Sequence, residues 1–236
     1  MSKEIPILFS TDMVKAILDG NKTMTRRIVK PQPDDSGLHN HTAFPMSLDS
    51  DMKGWWGTTA DTGESKEFPC RYGNVGDILW VRENMYQSAL GVAMYSASGR
   101  DSKHEYVVYE GFNKEERIDW DFFTVNRANI PSIYMPKKAA RIWLEVTGVR
   151  VDQLLNITEQ DTIKEGIEGD LVTTSGSNPW RYKNYFKHGE GDPHLFSSPI
   201  QSFCSLWSKI NGDESWKSNP WVWVIEFKVL STTGKP

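Results

Sequence analysis

From Lys22 to Arg27 the chain reads Lys-Thr-Met-Thr-Arg-Arg, one amine, two hydroxyls and two guanidiniums on six consecutive residues. Core packing gives no reason for such a run. A lysine among arginines has its ammonium disfavoured by like charge, which makes it a better base or activator for a neighbouring hydroxyl. Two guanidiniums beside that hydroxyl suit an anionic ligand or the charge that develops during acyl transfer. The competing reading is a solvated edge strand, where Lys and Thr are both at home. Because Arg26 and Arg27 adjoin, a strand sends them to opposite faces, and one of them must meet protein or a partner. Alternation also sets a condition. It groups Lys22, Met24 and Arg26 on one face and Thr23, Thr25 and Arg27 on the other. Lys22 and Thr25 act together only if Lys22 still belongs to the turn after Gly20, or if the strand bulges.

Two acids stand out beside this run. Glu83 closes the apolar stretch Asp-Ile-Leu-Trp-Val-Arg-Glu, and Glu165 precedes Gly166 at the expected end of a helix. A carboxylate at a helix C-terminus opposes the helix dipole, so helix stability does not explain it. The bland alternative for each is an exposed surface acid. Other chemistries find no support: the chain has no Gly-rich phosphate loop, no dinucleotide fingerprint and no His/Cys cluster at metal-ligand spacing. His39 and His41 are close, but they sit in a polar stretch and read as solvated loop residues. No cofactor or metal is expected.

Composition bounds the rest. The 236 residues fit one large domain or two small ones, and 38% apolar with 12% aromatic residues supports a real core. Ten tryptophans exceed what packing needs, and an indole couples a large apolar body to one N–H donor, so some suit a binding surface. A net charge of −4 argues against wrapping long duplex nucleic acid, while leaving room for a local basic cleft. Cys70 and Cys204 read as reduced thiols, and no apolar run approaches the ~20 residues of a membrane span. A cytoplasmic protein is the expectation.

The elements that must position these residues follow from pattern. Ile5–Phe9 reads as a buried strand, and Ser10 or Thr11 caps a helix carrying Met13, Val14, Ile17 and Leu18 on one stripe and ending at Gly20. A second strand is expected over about 22–30. Residues 34–72 read as a polar excursion with little regular structure, a candidate lid. Strands are expected at Asp77–Glu83, Tyr106–Tyr109, Arg141–Val151 and Trp221–Leu230. Asn156 or Thr158 caps a helix that stops at Gly166, and 168–199 is a second polar insertion. Gln201–Ile210 reads as a helix ending at Asn211–Gly212. Five or six strands with about three helices, in no regular alternation, predict an α+β fold with a mixed sheet or small barrel, as one domain with the two insertions.

Four blocks in order, ILFSTDMVKAILDGNKTMTRRIVKPQP, GDILWVRE, MPKKAARIWLEVTGVRVDQL with ITEQDTIKEGI, and LWSKINGDESWKSNPWVWVIEFKV, resemble the ASCH domain family. The chain is similar in particular to the longer ASCH-type proteins of bacteriophages and prophages. The resemblance implies a small mixed β-barrel of the PUA-like type, related to RNA-binding and modified-base-binding modules. It also implies a metal-independent amidohydrolase resembling the small bacterial proteins that deacylate N4-acetylcytidine. Their lysine and threonine fall on Lys22 and Thr25, and their later glutamate on Glu165. In that scheme Arg26 orients the substrate or stabilises developing charge, and Trp80 or an insertion aromatic stacks on the base. Thr23, Arg27 and Glu83 complete the expected substrate-binding set. Two other functions remain open: a non-catalytic RNA or modified-nucleic-acid binding module, and a ribonuclease on the same cleft.

Overall fold

A computed structural model describes residues 2–33, 46–48, 55–58, 65–67, 69–87, 93–98, 129–171, 180–183 and 196–236. The expected strand at Tyr106–Tyr109 and both His39 and His41 lie outside the described residues. The chain divides into two compact units, one of Met1–Thr23, Val75–Val146 and Phe227–Pro236, the other of Met24–Asn74 and Thr147–Glu226.

The first unit opens with β1 (Glu4–Leu8) and α1 (Thr11–Leu18). Ser10 caps α1, its hydroxyl accepting from the Met13 N–H, and Val14, Ala16 and Ile17 form the buried side. Gly20 then turns the chain at φ 78°, a conformation that costs residues with a Cβ. β1 lies parallel to β6 (Ile78–Arg82), and β6 is antiparallel to the start of β10 (Trp143–Gln153). β7 (Met85–Gln87) pairs with β8 (Ala93–Tyr95) on one side and β9 (Asn129–Ile130) on the other. Trp80, Met85, Tyr95, Met135, Ala139, Ala140 and Trp143 make one apolar cluster of this unit.

The second unit pairs β2 (Met24–Ile28) antiparallel with β13 (Trp221–Ser231), Thr25 opposite Ile225 and Arg27 opposite Trp223. Its helices are α2 (Glu159–Lys164), α3 (Pro199–Asn211) and the short α4 (Asp213–Lys217). Three strands, β3 (Met46–Leu48), β4 (Trp55–Thr58) and β5 (Ser65–Glu67), form an antiparallel sheet. β11 (Gly169–Leu171) and β12 (Trp180–Tyr182) form a further pair.

The fold is mixed α+β, and its five-stranded sheet has the order β1-β6-β10-β13-β2. The sheet is mixed, since β1 and β6 are parallel while β6–β10 and β13–β2 are antiparallel. Several expectations need correction, beginning with the strands, of which the described residues hold thirteen where five or six were expected. The described residues hold four α-helices, because α4 restarts helix directly after Gly212, where an ending was expected. The 34–72 stretch carries β3–β5 where little regular structure was anticipated, and the 168–199 stretch carries β11 and β12. The second strand begins at Met24 instead of Lys22.

Candidate functional site

That last difference bears directly on Lys22. The Asn21 and Lys22 amides both donate to the Ala16 carbonyl, at 2.9 and 3.0 Å, which ties Lys22 to the turn closing α1. Strand alternation therefore starts two residues later and does not fix the face of Lys22. Its side chain is fully buried, with the ammonium 5.5 Å from the Phe9 ring centroid. Thr23 is exposed, and its carbonyl accepts from the Phe227 amide at 2.9 Å. Both residues belong to the first unit.

Trp80 and Glu83 belong to it as well, and each is buried. Trp80 packs in the apolar cluster, with the Arg82 guanidinium 5.5 Å from its ring centroid. Glu83 is not the exposed acid of the bland reading. Arg141 Nε and Nη2 meet its two carboxylate oxygens at 2.8 and 2.9 Å, a bidentate fork, and the Arg141 guanidinium lies 4.2 Å from the Tyr95 ring centroid. Burial pushes the Glu83 carboxyl above its ordinary range, and the Arg141 fork pulls it partly back.

The second unit holds Thr25, Arg26, Arg27 and Glu165. Thr25 is buried at the second position of β2. Alternation puts it on the Arg27 face and puts Arg26 beside Met24. Arg26 is buried and directed at α2: Nη2 donates to Asp161 Oδ2 at 2.6 Å, and Nη1 reaches Glu165 Oε1 at 3.4 Å and Met24 Sδ at 3.3 Å. Asp161 Oδ2 also accepts from Arg150 Nη2 at 3.3 Å, and Arg150 Nη1 donates to Glu226 Oε1 at 2.7 Å. Three carboxylates and two guanidiniums thus alternate from buried Glu165 out to half-exposed Arg150 and Glu226. Burial lowers the Arg27 pKa, against the opposing pull of Tyr72 and Glu165, and Arg27 stands 5.9 Å from the Tyr72 ring. Glu165 is therefore felt by both arginines of β2.

Helix α2 places this acid pair. Thr158 caps it, its hydroxyl accepting from the Asp161 amide at 3.1 Å, and Glu165 closes it before Gly166 turns at φ 89°. Four residues separate Asp161 from Glu165, so they share one side of the helix. Asp161, Arg150 and Arg141 are absent from the sequence-derived set. The four-residue spacing from Glu165 was the signal for Asp161, which its place as a capping acid obscured. Arg141 and Arg150 carry no local motif.

Cys70 and Cys204 are both free, and burial pushes the Cys70 thiol up to about 11. Among the described residues no group of three or more His, Cys, Asp or Glu forms a metal site, and no helix is long and apolar enough to cross a membrane. Compared with known proteins, the chain matches no family model, no curated protein and no solved structure.

Proposed function

We propose that the protein hydrolyses an N-acyl group from a modified nucleoside or base of the N4-acetylcytidine type, within a PUA-like barrel. The observation that carries this reading is burial: Lys22, Thr25 and Glu165 are 0%, 2% and 3% exposed. A solvated edge strand would leave its lysine and threonine in water, and an idle surface acid would not be withdrawn from it. Burying a lysine and a glutamate costs free energy unless they are paired or used. Lys22 also sits three residues before Thr25, a separation that the backbone limits to about 10 Å.

In this reading the Thr25 hydroxyl attacks the acyl carbonyl as Lys22 takes its proton. Glu165 carries that proton from Lys22 to the departing amine, leaving the free nucleoside and an acyl-threonine. Water then attacks that ester, releases the carboxylic acid and restores Thr25. Arg26 steadies the Glu165 carboxylate, and Arg27 stands on the Thr25 face of β2. The mixed five-stranded sheet is compatible with a PUA-like barrel, which is part of the same proposal.

The test is release of cytidine from N4-acetylcytidine by wild type, Lys22→Ala and Glu165→Ala. Wild type is expected to turn over, and each variant to lose on the order of 10²–10⁴-fold in kcat/KM. No wild-type turnover, or full activity in both variants, overturns the reading.

A further inference from the structure

Phe9 directly follows β1, and the Lys22 ammonium lies 5.5 Å from the centroid of its ring. A ring face attracts a cation within about 6 Å, and most strongly where water is excluded. Both side chains meet that condition, since Phe9 is 2% and Lys22 0% exposed. We propose that Phe9 is a positioning residue whose ring seats the Lys22 ammonium and stabilises it as it forms. The step it serves rests on the amidohydrolase reading, in which the ammonium forms when Lys22 takes the proton of the attacking hydroxyl. The seat itself rests on the geometry.

The pair is framed from several directions, all within the first unit. The Phe9 amide donates to the Arg82 carbonyl at 3.2 Å, which carries the β1–β6 contact one residue past Leu8. The Phe9 ring packs against Phe227, with centroids 6.2 Å apart and planes tilted by 49°. The Phe227 amide in turn donates to the Thr23 carbonyl, and the Lys22 amide to the Ala16 carbonyl. Ring and amine are thus placed by backbone bonds of separate elements, so their approach does not depend on the attraction between them. A face held ready in this way needs no reorganisation as charge appears. The ring is not the sole contact of Lys22, and its contribution differs in kind from a hydrogen bond. An acceptor serves the N–H of a neutral amine as well as that of an ammonium, whereas a ring face holds chiefly the cation. By sequence pattern Phe9 only ends a buried strand, a role that any large apolar residue fills.

Mono-, di- and trifluorinated phenylalanine in place of Phe9 drain the ring face of negative charge step by step and nearly keep its shape, so the fold survives. Two measurements on the intact protein follow that series. The first is thermal unfolding at pH 6, on the side that favours the ammonium, in the native background and in Lys22→Met, which keeps the side chain's length without its charge. Tm is expected to fall with each fluorine in the native background and to stay level in Lys22→Met. The second is turnover of N4-acetylcytidine, which needs no lysine variant. The trifluorinated ring should lose on the order of tenfold in kcat, with KM little changed and the lesser rings in between. Equal falls of Tm in both backgrounds overturn the seat, because the ring would then act by packing alone. A kcat that ignores the series overturns the positioning role. Tm steps that depend on Lys22, with no wild-type turnover, support the seat and remove only the amidohydrolase reading.

Discussion

Arg141 shows what a single buried guanidinium does when its partner is a carboxylate under strong desolvation. Burial raises the Glu83 carboxyl and Arg141 lowers it, so the two causes oppose each other. An acid whose folded pKa is raised contributes stability that is complete below its unfolded value of about 4.3 and is lost as pH rises through the folded value. Replacing Arg141 with Met removes the lowering cause and leaves burial alone, so the window of loss moves to higher pH and deepens. Arg141→Met should therefore be destabilised by about 3–5 kcal/mol at neutral pH, where Glu83 must otherwise ionise without a partner. The deficit should shrink on going to pH 5, as Glu83 takes up its proton. Urea unfolding at pH 5 and pH 8 measures both, and a deficit that is equal at the two pH values would show that Glu83 is not the group responsible.

At the scale of elements, α2 is the piece on which the acid pair depends, and it is short. Its six residues make fewer than two turns, so the Thr158 cap satisfies a large share of its free amides. Thr158→Ala should cost about 1 kcal/mol, while Thr158→Ser should keep nearly all of the stability. Amide exchange across 159–165 reads this directly, and protection that survives in the alanine variant would show that tertiary packing alone holds the helix. The cap and the stop at Gly166 were legible in the sequence, as were Ser10 and Gly20 around α1 and the long strands β10 and β13. These carry full periods of alternation or paired start and stop signals. β3–β5 were not legible, because strands of three or four residues offer too little alternation to stand out from a polar loop. α4 was hidden by Gly212, which looks like a terminator and in fact serves as a joint between two helices. For the site, the sequence pointed to Lys22, Thr25, Arg26 and Glu165, yet it could not show that Arg26 is bound to α2. That pairing spans 135 residues to Asp161 and 139 to Glu165, and no local pattern encodes it.

For the molecule as a whole, charge decides between an enzyme on a small substrate and a module that holds a nucleic acid strand. The chain carries a net −4, and several of its basic groups are already matched: Arg26 with Asp161 and Glu165, Arg141 with Glu83, Arg150 with Asp161 and Glu226. Cations neutralised in this way release few counterions from a phosphate backbone, and for single strands the logarithm of affinity falls with that of salt by about 0.7 per phosphate contacted. An unmodified single-stranded RNA should therefore bind weakly, with a slope shallower than about 1, corresponding to about one phosphate at most. Titrations between 50 and 200 mM salt measure this. A slope steeper than about 2 that flattens in Arg27→Ala would instead make β2 a phosphate-contacting strand, and the binding-module reading would replace the enzyme. A shallow slope together with turnover of the acylated nucleoside places recognition in the base and its acyl group, which is where three buried polar side chains, and not a basic surface, are suited to act.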